Sequence, residues 1–240
     1  MRRAWVSEAV LQFSLSAADA LGPQQAAIGV PNGPVLLAFT VQQIPQLHPD
    51  FMALKLDISN AFNKFIRAEA IRKFLATPGL DELTPLAHAL FSCKSDITHL
   101  DAKSEEGGQQ RCGLSSLAFD LVIDEDVKWA DTQLCAEGAL ARFITDDGYY
   151  VGPPDVVIRT ANEFATRLKN RCNLRLNKTK TQVFCKNLQK SMEVCNSDEG
   201  SDYSIGCLSG RTPNHNREGF EFVVGWETRS LCPAASTPKQ

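Results

Sequence analysis

The chain has 240 residues, of which 43% are hydrophobic and 22% charged, and its 25 Lys and Arg against 28 Asp and Glu give a net charge of −3. These values are typical of a globular chain and exclude disorder, collagen and coiled coil as its main class. No apolar run approaches the roughly 20 residues of a membrane span, and the first residues lack the pattern of a secretory signal. We therefore expect an intracellular protein, nuclear or cytoplasmic, that is neither secreted nor inserted in a membrane.

Apolar spacing predicts the first elements. A helix is expected over about residues 1–20, a turn-rich segment follows, and a second helix is expected over 35–44. Residues 54–59 then alternate between apolar and polar side chains, which is strand periodicity, and a helical pattern runs from 61 to 74. Asp57 thus lies near the end of a strand that leads into a helix.

The second half of the chain predicts a hairpin between two helices. The helices are expected over about 114–129 and 155–172, and a last strand over 182–184. Asp146-Asp147-Gly148 is predicted as the hairpin turn, because Asp-Gly between two β-prone runs favours one. This order predicts an α+β fold, a split βαββαβ-like antiparallel sheet with helices on one face.

Three carboxylates lie where folding alone has no use for them. Asp57 ends a strand, and Asp146 and Asp147 lie at the hairpin. Clustered carboxylates repel one another, so their convergence would require cations, and Mg²⁺ or Mn²⁺ would suit the oxygen ligands. A pair of such ions supports phosphoryl transfer. The alternative is that the hairpin aspartates serve the turn and Asp57 is a solvated strand end, with no metal.

Several further motifs occur in one order along the chain. They are Pro23-Gln24-Gln25 with Gly29 and Gly33, the run Leu54-Lys55-Leu56-Asp57-Ile58-Ser59-Asn60-Ala61-Phe62-Asn63, then Gly108-Gln109-Gln110, Ile144-Thr145-Asp146-Asp147-Gly148, Leu176-Asn177-Lys178-Thr179-Lys180-Thr181 and finally Gly219 to Gly225. In this order they resemble the palm of reverse transcriptases, in particular the type found in non-LTR retroelements. The run around Asp57 is the most specific match.

The resemblance implies template-directed DNA synthesis from deoxynucleoside triphosphates, on an RNA template with a DNA primer, by two-metal phosphoryl transfer. It assigns Asp57, Asp146 and Asp147 as ligands of Mg²⁺ or Mn²⁺ and as catalytic residues. Lys180 would neutralise or protonate the pyrophosphate leaving group, against the alternative of a solvated lysine in a basic run.

The resemblance also assigns residues to the nucleotide and the primer. Phe62 and Ala61 would lie at the incoming nucleotide, with Phe62 excluding a 2′-hydroxyl, and Gln110 would lie close by. Val224 and Gly225 would grip the primer. On periodicity alone a core phenylalanine is the preferred interpretation of Phe62, and an exposed loop glutamine is the alternative for Gln110.

The same resemblance divides the chain into five parts. Residues 1–50 would be residual fingers and connecting helices, 51–190 the palm, 191–218 a flexible polar insertion, 219–231 a primer-grip-like hairpin and 232–240 a disordered tail. On this division we expect incomplete fingers and no thumb.

Two departures from the family pattern leave the activity open. Arg111 replaces a glycine that follows Gln110 in the family, and Ile144 stands where the family has an aromatic residue. Phe143 cannot substitute for it, because adjacent strand residues point to opposite faces. A truncated or decayed copy without catalysis, acting at most as an RNA-binding or structural module, is the main alternative. A metal-dependent nuclease or nucleotidyl transferase of another lineage is a further one.

Charge and cysteine patterns add two expectations. Nine Lys or Arg against the single acid Glu163 lie between Arg159 and Lys190, a basic run that could follow a phosphate backbone or form a solvated helix face. Eight cysteines occur at irregular intervals with no C-x-x-C pair, which favours reduced thiols over disulfides or a zinc site.

Overall fold

The computed structural model describes residues 2–93, 95–96, 103–109, 112–177 and 180–185. Its helices are α1 (Arg2–Gln12), α2 (Ser14–Leu21), α3 (Gly33–Leu47), α4 (Ala61–Lys64), α5 (Arg67–Ala76), α6 (Thr84–Phe91), α7 (Gly113–Cys135) and α8 (Pro154–Cys172), with a 3₁₀ turn at Asp81–Leu83. Its strands are β1 (Met52–Asp57), β2 (Ser95–Asp96), β3 (Lys103–Ser104), β4 (Leu140–Ile144), β5 (Asp147–Gly152) and β6 (Gln182–Cys185). No helix in the described ranges is long and apolar enough to cross a membrane.

A four-stranded antiparallel sheet forms the centre of the fold. Its strand order is β4-β5-β1-β6, and β2 and β3 form a separate two-stranded sheet. In chain order the central sheet reads β1, helices, β4, β5, α8, β6, so the predicted α+β class and its βαββαβ connectivity are confirmed.

One face of the sheet is covered by α7 and α8. The alternation in β1 turns Leu54 and Leu56 to this face, where both are fully buried in the main core. Three aromatic rings, those of Phe143, Tyr150 and Phe164, pack on one another there at centroid distances of 5.5–6.0 Å. This is the helical layer that the sequence predicts.

The opposite face is partly covered by α3, a packing that the sequence pattern did not predict. Leu37 and Val41 of α3 form a second buried cluster with Ala53 of β1 and with Tyr149 and Val151 of β5. The side chains of all three strand residues lie on the face of the sheet opposite to the main core. Asp57 itself is not part of this cluster.

The hairpin turn lies earlier than predicted. Ile144 pairs with Asp147, so the two-residue loop is Thr145 and Asp146, and Gly148 already belongs to β5. Packing within the core accounts for the position of Gly148 in the strand, because a Cβ on this residue would lie 2.5 Å from the ring of Phe143. The glycine therefore makes room for a core ring, and the left-handed backbone conformation falls on Thr145, whose φ is 56°.

That conformation is unusual for Thr145. Two-residue hairpin loops of types I′ and II′ need a positive φ at their first residue, a position that usually holds glycine or asparagine. For a β-branched residue it costs about 1–2 kcal/mol. The surrounding structure must therefore hold this residue in place.

Other expectations differ in detail or lie outside the described residues. The first predicted helix is divided at Phe13 into α1 and α2, and the helix after Asn60 is divided into α4 and α5. Four described cysteines, Cys93, Cys112, Cys135 and Cys172, are free thiols, as predicted. The expected insertion, primer-grip-like hairpin and tail, residues 191–240, lie outside the described part of the chain.

Candidate functional site

The register of β1 and β5 brings the three predicted carboxylates to one end of the sheet. Asp57, the last residue of β1, is the direct cross-strand partner of Asp147, the first residue of β5. The backbone N–H of Ile58 donates to the carbonyl of Asp146 at 3.2 Å, which joins the hairpin loop to the end of β1. Asp57 and Asp147, which are 90 positions apart in the sequence, thus lie side by side.

The segment before β6 adds Lys180 to this group. Leu176 forms a β-bridge with Ile58, and the N–H of Asn177 donates to the carbonyl of Asp57 at 2.7 Å. The Lys180 Nζ lies 3.2 Å from Asp57 Oδ1. The lysine side chain is 65% exposed and the aspartate side chain 14%, so an exposed cation contacts a mostly covered carboxylate.

A second lysine, Lys55, contacts the neighbouring carboxylate. Its Nζ lies 3.3 Å from Asp147 Oδ1 and 5.8 Å from the ring centroid of Tyr149. Sequence reasoning did not single out Lys55, although strand alternation places it on the same side as Asp57. Asp57 and Asp147 therefore each have one lysine within ion-pair distance.

Asp146 lies between two other carboxylates and is partly buried. Burial raises its pKa, and the carboxylates of Asp147 and Asp57 raise it further, while Lys180 acts in the opposite direction. A carboxylate in such a field binds any available cation more strongly, whether a proton, a lysine or a metal ion.

A fourth acidic residue, Asp120 of α7, lies near this group and was missed from the sequence. It is 1% exposed, and neither of its carboxyl oxygens has a hydrogen-bond partner among the described residues. Burial raises its pKa well above the usual value, and the charge of Asp146 adds to the shift. The available signal was a single acid within the apolar run from Leu117 to Ile123.

The chemistry of this group fits a divalent metal ion, although its ligands are not already gathered. Asp57, Asp146 and Asp147 offer only carboxylate oxygens, which Mg²⁺ prefers, and the buried carboxyl of Asp120, whose oxygens have no hydrogen-bond partner among the described residues, lies nearby. However, no three His, Cys, Asp or Glu side chains in the described ranges are grouped closely enough to hold an ion. Binding would draw the carboxylates together and displace Lys180 from Asp57.

Phe62 lies beside the loop that precedes α7. It is half-buried, and its ring packs on that of Phe119 with centroids 5.8 Å apart. The N–H of Gly108 donates to the carbonyl of Phe62 at 2.7 Å, so the polypeptide leading to Gln109 runs along α4. Ala61 is buried in the core and presents no side chain to solvent.

The same loop is held by Arg67 of α5. Its Nε donates to the carbonyl of Gly107 at 2.6 Å, and its Nη1 donates to the carbonyl of Cys93 at 2.8 Å. Gly108 packs so closely that a Cβ would clash with Ser115 of α7. The loop has a fixed position up to Gln109, whereas Gln110 and Arg111 lie outside the described residues.

Two arginines of the basic run between Arg159 and Lys190 form ion pairs within the fold. Arg167 and Arg171 both contact the buried carboxylate of Asp126, at 3.0 and 3.4 Å, and Arg171 also pairs with Glu125. Arg167 further lies 4.7 Å above the Trp129 ring. These two arginines pair with acids of α7, so this part of the basic run contributes to the packing of α8 on α7. The proposed primer contacts Val224 and Gly225 lie outside the described residues.

Comparison with known proteins gives a result for the fold alone. No protein-family model matches the sequence, and neither does any curated protein. Among solved structures, telomerase from Candida albicans, in complex with the TWJ fragment of telomeric RNA, is similar with a TM-score of 0.55 and 12% identity over 74% of this chain. Apo telomerase from Candida tropicalis gives 0.54 and 10% over 76%. The chain has a reverse-transcriptase-like fold. It spans about a third of the length of these neighbours, 34% and 36% respectively.

Proposed function

We propose that this chain is the palm of an RNA-directed DNA polymerase of retroelement type. The observation that carries the proposal is the antiparallel register that sets Asp57 against Asp147, with Asp146 in the adjoining loop. The likeness to telomerase, a reverse-transcriptase-related enzyme of which two solved structures contain a telomeric RNA fragment, supports RNA as the template.

The three carboxylates would hold Mg²⁺ or Mn²⁺. Bound ions would supply charge neutralisation at the transferring phosphate and activate the attacking hydroxyl. The role of the protein is to hold Asp57, Asp146 and Asp147 on paired strands, so that their spacing is set by backbone hydrogen bonds. The deoxynucleoside triphosphate would bring its phosphates to this end of the sheet.

Lys180 is the group suited to the leaving pyrophosphate. Its ammonium is exposed and contacts only one carboxylate oxygen of Asp57 among its described ion pairs. It can therefore exchange that partner for a phosphate oxygen, and a bound metal ion would then neutralise the mostly covered Asp57 carboxylate. Lys55, whose side chain is only 15% exposed, would remain on Asp147 and fix the position of that carboxylate.

Phe62 would select the sugar. Its ring is backed by Phe119 of α7, and the adjoining loop is held by Arg67, so the ring has a rigid support. A rigid aromatic edge under the nucleotide would exclude a 2′-hydroxyl. We expect Phe62→Ala to admit ribonucleotides.

Primer extension on an RNA template tests the proposal. We compare the wild-type chain with Asp146→Asn, which keeps the size of the side chain, and with the exposed control Asp50→Asn. The expected result is a loss of at least about a hundredfold for Asp146→Asn and none for the control. Equal extension by all three proteins, or none by the wild type, would refute polymerase activity.

A second candidate is a non-catalytic RNA-binding or structural module. It is favoured by the lysine contacts, since Lys180 and Lys55 already neutralise Asp57 and Asp147 and no described group of three ligands is assembled. On this hypothesis the chain retains RNA in a filter-binding assay but extends no primer. Shortening of the primer in the same reaction would instead indicate a nuclease.

A further inference from the structure

The segment before α3 forms an unexpected contact with the hairpin. Its residues Gln24 to Ala26 lie beside the edge strand β4, in a parallel β-bridge between Gln25 and Phe143. The N–H of Phe143 donates to the carbonyl of Gln24 at 2.7 Å, and the N–H of Ala26 donates to the carbonyl of Phe143 at 2.7 Å. We refer to residues 24–26 as the strap.

The side chain of Gln25 reaches the hairpin loop itself. Its Oε1 accepts a hydrogen bond from the N–H of Thr145 at 2.8 Å, and the glutamine is 2% exposed. Thr145 is the loop residue with the left-handed backbone, and it directly precedes Asp146. The strained residue of the hairpin is thus held by a buried side chain 120 positions earlier in the sequence.

The strap is anchored independently of that contact. Gln24 Nε2 donates to Asp131 Oδ2 of α7 at 2.8 Å. The other oxygen of Asp131 accepts from the N–H of Ala141 at 3.1 Å and from Arg142 at 3.0 Å. One side chain of the strap therefore binds the helical layer, and the next binds the loop that carries the carboxylates.

We propose that Gln25 is a positioning residue for the carboxylate hairpin. It fixes Thr145 in the left-handed conformation, and the direction in which Asp146 and Asp147 project follows from that backbone. An effect of Gln25 on cation binding and turnover rests on the proposed function. Its effect on the backbone conformation of the hairpin is independent of that function.

Substitutions at Gln25 can distinguish the effect of its hydrogen-bond acceptor from the effect of its side-chain volume. Gln25→Met keeps the length but removes the acceptor, while Gln25→Glu keeps an oxygen that can accept from Thr145. Gln24→Met is the matched control, since it loosens the strap at Asp131 without touching Thr145. Thr145→Gly removes the need for a support, because glycine adopts a positive φ freely.

Hydrogen exchange at the Thr145 amide is the first readout. We expect Gln25→Met to speed its exchange by about tenfold and Gln25→Glu or Gln24→Met to change it by less than about threefold. The amide of Leu54, inside the β1–β5 pairing, serves as the internal reference. Unchanged exchange in Gln25→Met, or equal acceleration in Gln25→Glu and Gln24→Met, would overturn the proposal.

Mn²⁺ affinity, measured by titration, is the second readout. Gln25→Met should weaken Mn²⁺ binding by about tenfold. In a Thr145→Gly background the same change should weaken it by less than about threefold. An equal loss in both backgrounds would show that Gln25 acts through general packing and would overturn the proposal. Absence of Mn²⁺ binding by the wild type would count against the proposed function instead, and the exchange of Thr145 would then decide the role of Gln25.

Discussion

Replacing Asp120 by asparagine should raise the free energy of unfolding at neutral pH. The carboxyl group of Asp120 is buried in α7, and both of its oxygens lack a hydrogen-bond partner in the described part of the chain. Burial and the nearby charge of Asp146 raise its pKa well above its usual value near 3.8. The amide of asparagine cannot ionise, so the variant avoids the cost of a buried negative charge.

The size of the effect depends on pH. The unfolded chain releases the Asp120 proton near pH 3.8, whereas the folded chain keeps it to a higher pH. This group therefore favours folding below pH 3.8 and loses that contribution as the pH rises, by about 1.4 kcal/mol per pH unit while the folded side chain stays protonated. Because pH 6 lies about two units above 3.8, this slope gives a gain of up to about 3 kcal/mol for Asp120→Asn at pH 6.

Urea unfolding of both proteins between pH 4 and 7, at roughly unit intervals, measures this difference. The exposed control Glu137→Gln should stay within about 0.5 kcal/mol of the wild type. A stability difference for Asp120→Asn that does not grow with pH would refute the reasoning. A wild type more stable than the variant at pH 7 would show that the carboxylate has a favourable partner.

Three further variants test the remaining contacts. Gly148→Ala places a Cβ against the ring of Phe143 and should destabilise the fold by about 1–3 kcal/mol in urea unfolding; a neutral result would show that the ring can move. Arg67→Lys keeps the charge but cannot make both carbonyl hydrogen bonds, so we expect a loss of about 1.5–3 kcal/mol, and a loss below about 0.5 would contradict this role. Lys180→Met should raise the pKa of Asp146, because the ammonium lowers it; a ¹³C titration of the carboxyl checks the direction.

Elements set by local pattern were predictable from the sequence. The alternation around Leu54 and Leu56 predicts β1, and the order of the elements predicts the βαββαβ sheet that the structure contains. The opposite orientations of Phe143 and Ile144 also follow from strand geometry, and the two residues lie in different apolar clusters. The nearness of Asp57 to Asp146 and Asp147 follows once these strands pair.

Features set by packing between distant segments were not predictable. Asp147-Gly148 is a strong local turn signal, yet the loop lies at Thr145 and Asp146 because the Phe143 ring needs the space beside Gly148. The contact from Gln25 to the loop joins segments with no shared local pattern. The position of α3 on the second face likewise depends on its contacts with Ala53, Tyr149 and Val151, which the spacing of its own apolar residues does not reveal.

We propose above all that Asp57, Asp146 and Asp147 would bind a divalent cation, and Mn²⁺ titration of the full chain by electron paramagnetic resonance tests this most directly. We predict saturable binding by the wild type, loss of at least about tenfold in affinity for Asp57→Asn, and no change for the exposed control Asp50→Asn. Equal binding by the wild type and Asp57→Asn, or no binding by the wild type, would contradict the claim.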